Sequence, residues 1–190
     1  MILLDQTIVA VATPAFQADL HADYGQVLWV TSAYLLTFAV PLMVTGRLGD
    51  RFGPKNLYIA GMTIFTLSSL ACGLAGSIEM LIAARAVQGI GGSLLTPQTM
   101  SVINRIFPRD KRGAALGIWG ATAGISTLAG PLLGGFITEY ATWHWVFFIN
   151  VPIGVLSVVM VARWVPRFRP THDRINVPSI LLSMVAMTMV

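Results

Sequence analysis

The chain has 190 residues, of which 55% are hydrophobic and 11% charged, with a mean hydropathy of +0.74. A water-soluble domain of this length needs far more polar surface, so the composition points to a membrane protein. The single cysteine, Cys72, excludes an internal disulfide framework and a cysteine-based metal site. The net charge of +4 and pI near 9.7 would suit nucleic acid only if the basic residues clustered on a soluble domain. They do not, and no nucleic-acid partner is expected.

Seven hydrophobic segments follow one another: 1–16, 27–45, 57–76, 80–107, 114–138, 143–164 and 175–190. The middle five are long enough to cross a hydrocarbon core, which takes about 20 helical residues. Each is expected to be a helix, because only a helix satisfies its own backbone groups in lipid. The first and last segments stop at the chain ends without flanking charges, and the expectation is a chain cut inside two helices. A signal peptide over 1–16 would need a basic start and a small-residue cleavage site, whereas this segment carries Asp5.

Eleven of the 12 lysines and arginines lie at or beside the breaks after the second, fourth and sixth segments: Arg47, Arg51, Lys55, Arg105, Arg109, Lys111, Arg112, Arg163, Arg167, Arg169 and Arg174. The intervening breaks hold Asp19, Asp23, Glu79 and Glu139 and no basic residue. This is a positive-inside pattern: the basic loops are expected in the cytoplasm, and the first segment runs outward. Trp29, Trp143, Trp145 and Trp164 lie at segment ends, as an aromatic belt requires, and Trp119 lies deeper. The Pro- and Arg-rich stretch 163–174 reads as a cytoplasmic linker. The expected domains are a six-helix bundle over 1–164, a linker over 165–174 and the start of another helix over 175–190.

Asp5, in "LDQT", is the only acid inside a hydrophobic run and needs a partner or a proton there. Between the second and third segments stands "GRLGDRFGPKN" (46–56), where Gly46, Gly49 and Gly53 permit tight turning and Asp50 sits among Arg47, Arg51 and Lys55. Arg85 is the twelfth basic residue, placed inside the fourth segment. At 100° per residue, Arg85, Gln88, Gly89, Gly92, Thr96 and Thr99 share a sector about 100° wide, a polar stripe suited to other helices or a wet cavity. In the fifth segment Gly113, Gly117, Gly120, Gly124, Pro131 and Gly135 share a sector about 60° wide. Such a groove lets another helix pack closely, and Pro131 permits a kink. "DLHAD" (19–23) could ligate a metal in principle, but one exposed loop is ordinarily just solvated, so no metal or other cofactor is expected. Catalytic triads and phosphate loops are absent, and an enzyme is not expected.

These motifs together resemble the major facilitator superfamily. Residues 46–56 are similar to its loop signature between helices two and three, with Pro54 where a basic residue is usual. Arg85, Gln88, Gly89 and Gly91 match its fourth-helix signature. Gly130-Pro131 followed by Gly134-Gly135 resembles the antiporter signature of its exporters. "LDQT" and "WHWVFFINVPIG" (143–154) are similar to the first and sixth helices of its fourteen-helix drug:proton antiporters, with His144 where arginine is usual. The resemblance implies an all-α membrane fold, an N-terminal six-helix bundle of two inverted three-helix repeats plus the start of a seventh helix. It implies proton-coupled export of lipophilic, often cationic drugs across the inner cell membrane, together with a C-terminal half. Asp5, Arg85 and Gln88 would serve proton coupling and transport. Gly46, Asp50, Arg51 and Gly53 would form a gating loop, and Gly120, Gly124, Gly130, Pro131, Gly134 and Gly135 the antiporter helix. Two other readings share this fold: a dedicated exporter of one metabolite, such as a siderophore or antibiotic, and a non-transporting sensor or scaffold.

Overall fold

The computed structural model describes residues 1–166, which form eight helices. They are α1 (Ile2–Asp19), α2 (Tyr24–Ala39), α3 (Leu42–Phe52), α4 (Pro54–Gly73), α5 (Ile78–Ile106), α6 (Arg112–Tyr140), α7 (His144–Phe148) and α8 (Asn150–Trp164). The expected segment 175–190 and the residues 167–174 of the linker, with Arg167, Arg169 and Arg174, lie outside the described residues.

Two pairs are broken rods. Between α2 and α3 the axis bends by 51°. Pro41 stands at this break, where it can donate no backbone hydrogen bond to the preceding turn. Pro152 acts likewise two residues into α8, leaving the carbonyl of Phe148 without its usual helical partner where α7 ends. Six rods result. Four of them, α4, α5, α6 and α7–α8, are long and apolar enough to cross a membrane, and the bent pair α2–α3 makes a fifth. These are the five segments the hydropathy selects.

Local chemistry fixes the rod ends. Asp23 and Gln26 form a capping box at the start of α2, with the Gln26 N–H donating to Asp23 Oδ1 at 2.7 Å. Ser77 caps α5 through the Met80 N–H. The stretch 46–56, expected as a loop, is almost entirely helical: α3 runs to Phe52, and Gly53 alone makes the turn before Pro54 opens α4. Gly53 has φ 85° and ψ 132°, a conformation that side chains with a Cβ resist. Proline at the first helical position then starts α4 without wasting a donor.

The central rod is α5, covered by α2, α3 and α4, while α1 packs on α6 and α7, and α4 also on α7 and α8. Exchanging the first three rods with the last three carries the α2–α5 contact onto α6–α1 and returns α4–α8 to itself. An odd number of spans per repeat inverts the second repeat in the membrane. One core cluster gathers Ile8, Phe16, Val30, Leu81, Trp143 and Phe147; a second gathers Tyr34, Met62, Phe65 and Leu95.

Leu81, Leu94 and Leu95, off the polar stripe of α5, are buried as well, because α5 is enclosed. Two expectations change here. Trp143 is not a belt residue: it is 4% exposed, donates its indole N–H to Asp19 at 2.8 Å, and meets Phe16 edge-on. On α6, a Cβ at Gly113, Gly117, Gly120, Gly124 or Gly135 would meet nothing within 4 Å. Close packing instead uses the neighbouring face, where Gly130 approaches Thr7 and Gly134 approaches Ile8 and Val11 of α1.

Candidate functional site

Arg85 sits about two turns inside α5 from its Ile78 end and is 1% exposed. Its Nη1 donates to Asp5 Oδ2 of α1 at 2.6 Å and to Gln88 Oε1, one turn along α5, at 2.8 Å. The second carboxylate oxygen, Oδ1, accepts from Gln88 Nε2 at 3.1 Å and from Asn150 Nδ2 at 2.7 Å. Asp5, Gln88 and Asn150 are each 0% exposed. An ionised carboxylate is acceptor-only and costly to bury, so two amide donors and a guanidinium are what its site requires.

Four rods meet at this point, and a fifth supplies a wall. The Arg85 guanidinium lies over the Tyr34 ring of α2, 4.1 Å from its centroid, and 6.0 Å from that of Phe147. A desolvated cation–π contact of this kind is worth about 2 kcal/mol. From α4, Ser69 Oγ accepts from Asn150 Nδ2 at 3.2 Å and donates to the carbonyl of Phe147 at 3.0 Å. The Cys72 thiol donates to Gln88 Oε1 at 3.7 Å. Three buried polar atoms have no partner among the described residues: the Tyr34 hydroxyl, Arg85 Nε and Asn150 Oδ1.

The packing that lets the rods converge comes from glycine. A Cβ on Gly91 would stand 2.6 Å from the backbone nitrogen of Phe65 in α4. Gly89 lies against Tyr34 and Thr37 of α2, holding the Tyr34 ring beside Arg85. The polar stripe read on α5 is therefore divided. Arg85, Gln88, Gly89 and Gly92 are buried against other rods, and Thr96 and Thr99 are half-buried.

The second predicted group lies at the basic end of the bundle. Asp50, in the last turn of α3, faces Arg105 in the last turn of α5 at 3.4 Å; both are partly exposed. Arg51 lies over the neighbouring Phe52 ring, 5.5 Å from its centroid. Gly46 approaches Pro97, and Gly49 packs onto the buried side chain of Gln98, whose Nε2 donates to the Thr45 carbonyl at 2.8 Å. Lys55 donates to the carbonyls of Ala162 and Val165 at 2.8 and 2.6 Å, capping the C-terminus of α8. Of the third group, Gly130 and Gly134 sit against α1, while Gly120, Gly124, Pro131 and Gly135 occupy the uncovered side of α6. Asp19 and Asp23 of "DLHAD" are engaged with Trp143 and as the α2 cap.

Sequence reasoning brought Asp5, Arg85 and Gln88 forward and did not bring Tyr34, Ser69 or Cys72; it read Asn150 as lining the cavity or adjusting the sixth helix, without joining it to Asp5. No signal existed for Ser69. A mid-helix hydroxyl usually bonds its own preceding turn, as Thr66 and Ser68 do here, but nothing in the sequence says that Ser69 turns elsewhere.

The Major Facilitator Superfamily profile matches residues 1–183. The chain belongs to that superfamily. An uncharacterized MFS-type transporter of Mycobacterium tuberculosis is 55% identical over 172 residues, covering 90% of this chain and 30% of that protein. The tetracenomycin C resistance and export protein of Streptomyces glaucescens is 44% identical over 159 residues, covering 84% of this chain and 30% of its own length. Multidrug resistance protein 3 of Bacillus subtilis is 42% identical over 164 residues, covering 86% and 32%. Among solved structures, the peptide transporter POT superposes with a TM-score of 0.77 at 17% identity, over 98% of this chain and 40% of that one. This last likeness concerns the fold alone. The chain spans about a third of the length of these curated relatives. It is an integral membrane protein of the superfamily, and the tetracenomycin and multidrug relatives are named for resistance and export.

Proposed function

We propose that the chain forms the N-terminal six-helix half of a proton-coupled exporter of lipophilic, often cationic compounds, working by alternating access. The observation that carries this reading is the Asp5 carboxylate, fully buried and paired with Arg85 inside the bundle. A carboxylate in such a place is a proton-binding group whose charge changes its hold on neighbouring helices. Gln88 shares both partners and tunes the pair. The basic end of the bundle faces the cytoplasm of the inner cell membrane, and Asp50 with Arg105 there forms a latch that biases one state. The open glycine face of α6, including Gly120, Gly124 and Gly135, receives a helix of the C-terminal half.

The energetics allow it. One proton under 100 mV and one pH unit supplies about 3.7 kcal/mol, enough for a several-hundredfold gradient of a neutral substrate. The names of the tetracenomycin and multidrug relatives support export. The tetracenomycin relative also favours a second reading, export of one dedicated compound by the same machinery.

The test is the full-length protein in liposomes under an imposed pH gradient, given lipophilic cations such as ethidium and tetraphenylphosphonium. Antiport predicts proton release coupled to entry of several of them. A response to a single structural class would favour the dedicated exporter. No proton movement with any compound would overturn antiport and leave a sensor or scaffold.

A further inference from the structure

We infer that Asn150 is a positioning residue that reads the protonation of Asp5, turning its side-chain amide over when the carboxylate becomes an acid. The inference deepens the proton-coupling reading and rests on it. It follows from an inventory of donors and acceptors around one oxygen.

Asp5 Oδ2 faces the guanidinium, so an incoming proton settles on Oδ1, which faces the Gln88 and Asn150 amides. A hydroxyl there points a hydrogen at an NH₂ group, and one amide has to reverse to accept it. Gln88 is not free to do so. Its Oε1 already accepts from Arg85 and Cys72, and reversal would set its NH₂ against the guanidinium. Asn150 is different: no donor holds its buried Oδ1, so reversal breaks no bond to that oxygen and costs only the NH₂ contacts to Asp5 and Ser69.

Reversing Asn150 brings Oδ1 to the new Asp5 hydroxyl, while Oδ1 of Asp5 still accepts from Gln88 Nε2. The reversal also exchanges what Ser69 meets. Its hydroxyl now donates to Asn150 and lets go of the Phe147 carbonyl. That carbonyl belongs to the last turn of α7, which ends at Phe148, so the proton on α1 is felt at the break in the sixth rod. The only covalent change is the O–H formed on Asp5, at the expense of one O–H of the hydronium ion that delivers the proton.

The charged and titratable groups around Asp5 are Arg85 from α5, Tyr34 from α2, Cys72 from α4 and the Met1 amino group at the start of α1 itself. At the contact with α1, α6 presents Gly130 and Gly134, which do not titrate. Of the two side-chain amides that donate to Asp5, only Asn150 has an oxygen without a partner.

The measurement is acid-induced infrared difference spectroscopy on the full-length protein in liposomes, alongside the pH profile of proton-coupled ethidium transport. The expected result is one titration in which the Asp5 carboxyl band and an Asn150 amide band change together. Both vanish in Asp5→Asn, and the amide band alone vanishes in Asn150→Leu. The hydrogen bond to a carboxylate is about twice as strong as that to an acid, so Asn150→Leu disfavours the charged form more. Its transport profile therefore moves up by about one pH unit, with about tenfold slower transport. Asn150→Thr, whose hydroxyl can donate or accept, restores part of both. A titrating Asp5 band without an amide response, or an unmoved profile in Asn150→Leu, overturns the switch alone. A wild-type Asp5 that does not titrate overturns the proton-coupling reading as well.

Discussion

Arg85 and Asp5 neutralise one another in a place where either alone would be an unpaired charge. Replacing one partner is predicted to cost about 3–5 kcal/mol, whereas replacing both with apolar residues recovers most of it. In the full-length protein, thermal unfolding in detergent should therefore rank Arg85→Leu well below wild type, with Arg85→Leu plus Asp5→Leu close to it. The double variant should nevertheless transport nothing by proton exchange. Arg85→Lys is predicted to fall at least tenfold in transport, because a compact ammonium cannot lie flat over Tyr34 while holding both Asp5 and Gln88. These three residues were visible in the sequence because a charge or amide inside an apolar run is conspicuous. Their partners were not. Tyr34, Ser69 and Cys72 are ordinary residues of a membrane helix, Asn150 stands in its apolar run without a sign of what it faces, and only the approach of five rods gives them a shared task.

At the scale of the helix, glycine decides which faces meet. Gly91→Ala is predicted to destabilise the bundle by about 1–3 kcal/mol, because the atom its Cβ would strike is backbone of α4 and cannot yield. Gly53→Ala should cost a similar amount, about 1–3 kcal/mol, through backbone strain at φ 85°. Gly120→Ala meets open space within the bundle, so its thermal stability should change by less than about 0.5 kcal/mol. Transport by the full-length protein should still fall if the C-terminal half packs on that face, and an unaffected rate would remove the glycine face from the account. The helical wheel of the sequence grouped these glycines correctly, yet it could not say which group is covered. Gly130 and Gly134, about 60–100° around the helix from the large glycine sector, are the pair that touches α1. Hydropathy likewise placed the spans but missed the bend at Pro41 and the helical character of 46–52. An amphipathic, charged helix extending past the apolar stretch reads as a loop on hydropathy alone.

For the whole molecule, charge is segregated: among the described residues every lysine and arginine but Arg85 gathers at one end of the bundle with Asp50 and Asp110, Asp19, Asp23, Glu79 and Glu139 lie at the other, and one ion pair is sealed between. The exposed Asp50–Arg105 pair contributes little to stability, about 0–1 kcal/mol. Asp50→Asn should leave unfolding unchanged while altering the balance of states, seen as a change in the labelling rate of a cysteine introduced at the basic end. The buried pair carries the central claim, that Asp5 is the site where a proton couples to transport. Its most direct test is substrate-driven proton release from liposomes holding wild-type or Asp5→Asn full-length protein, with ethidium binding measured in parallel. The account predicts that Asp5→Asn binds ethidium but releases no protons, and proton release at the wild-type rate in that variant would contradict it.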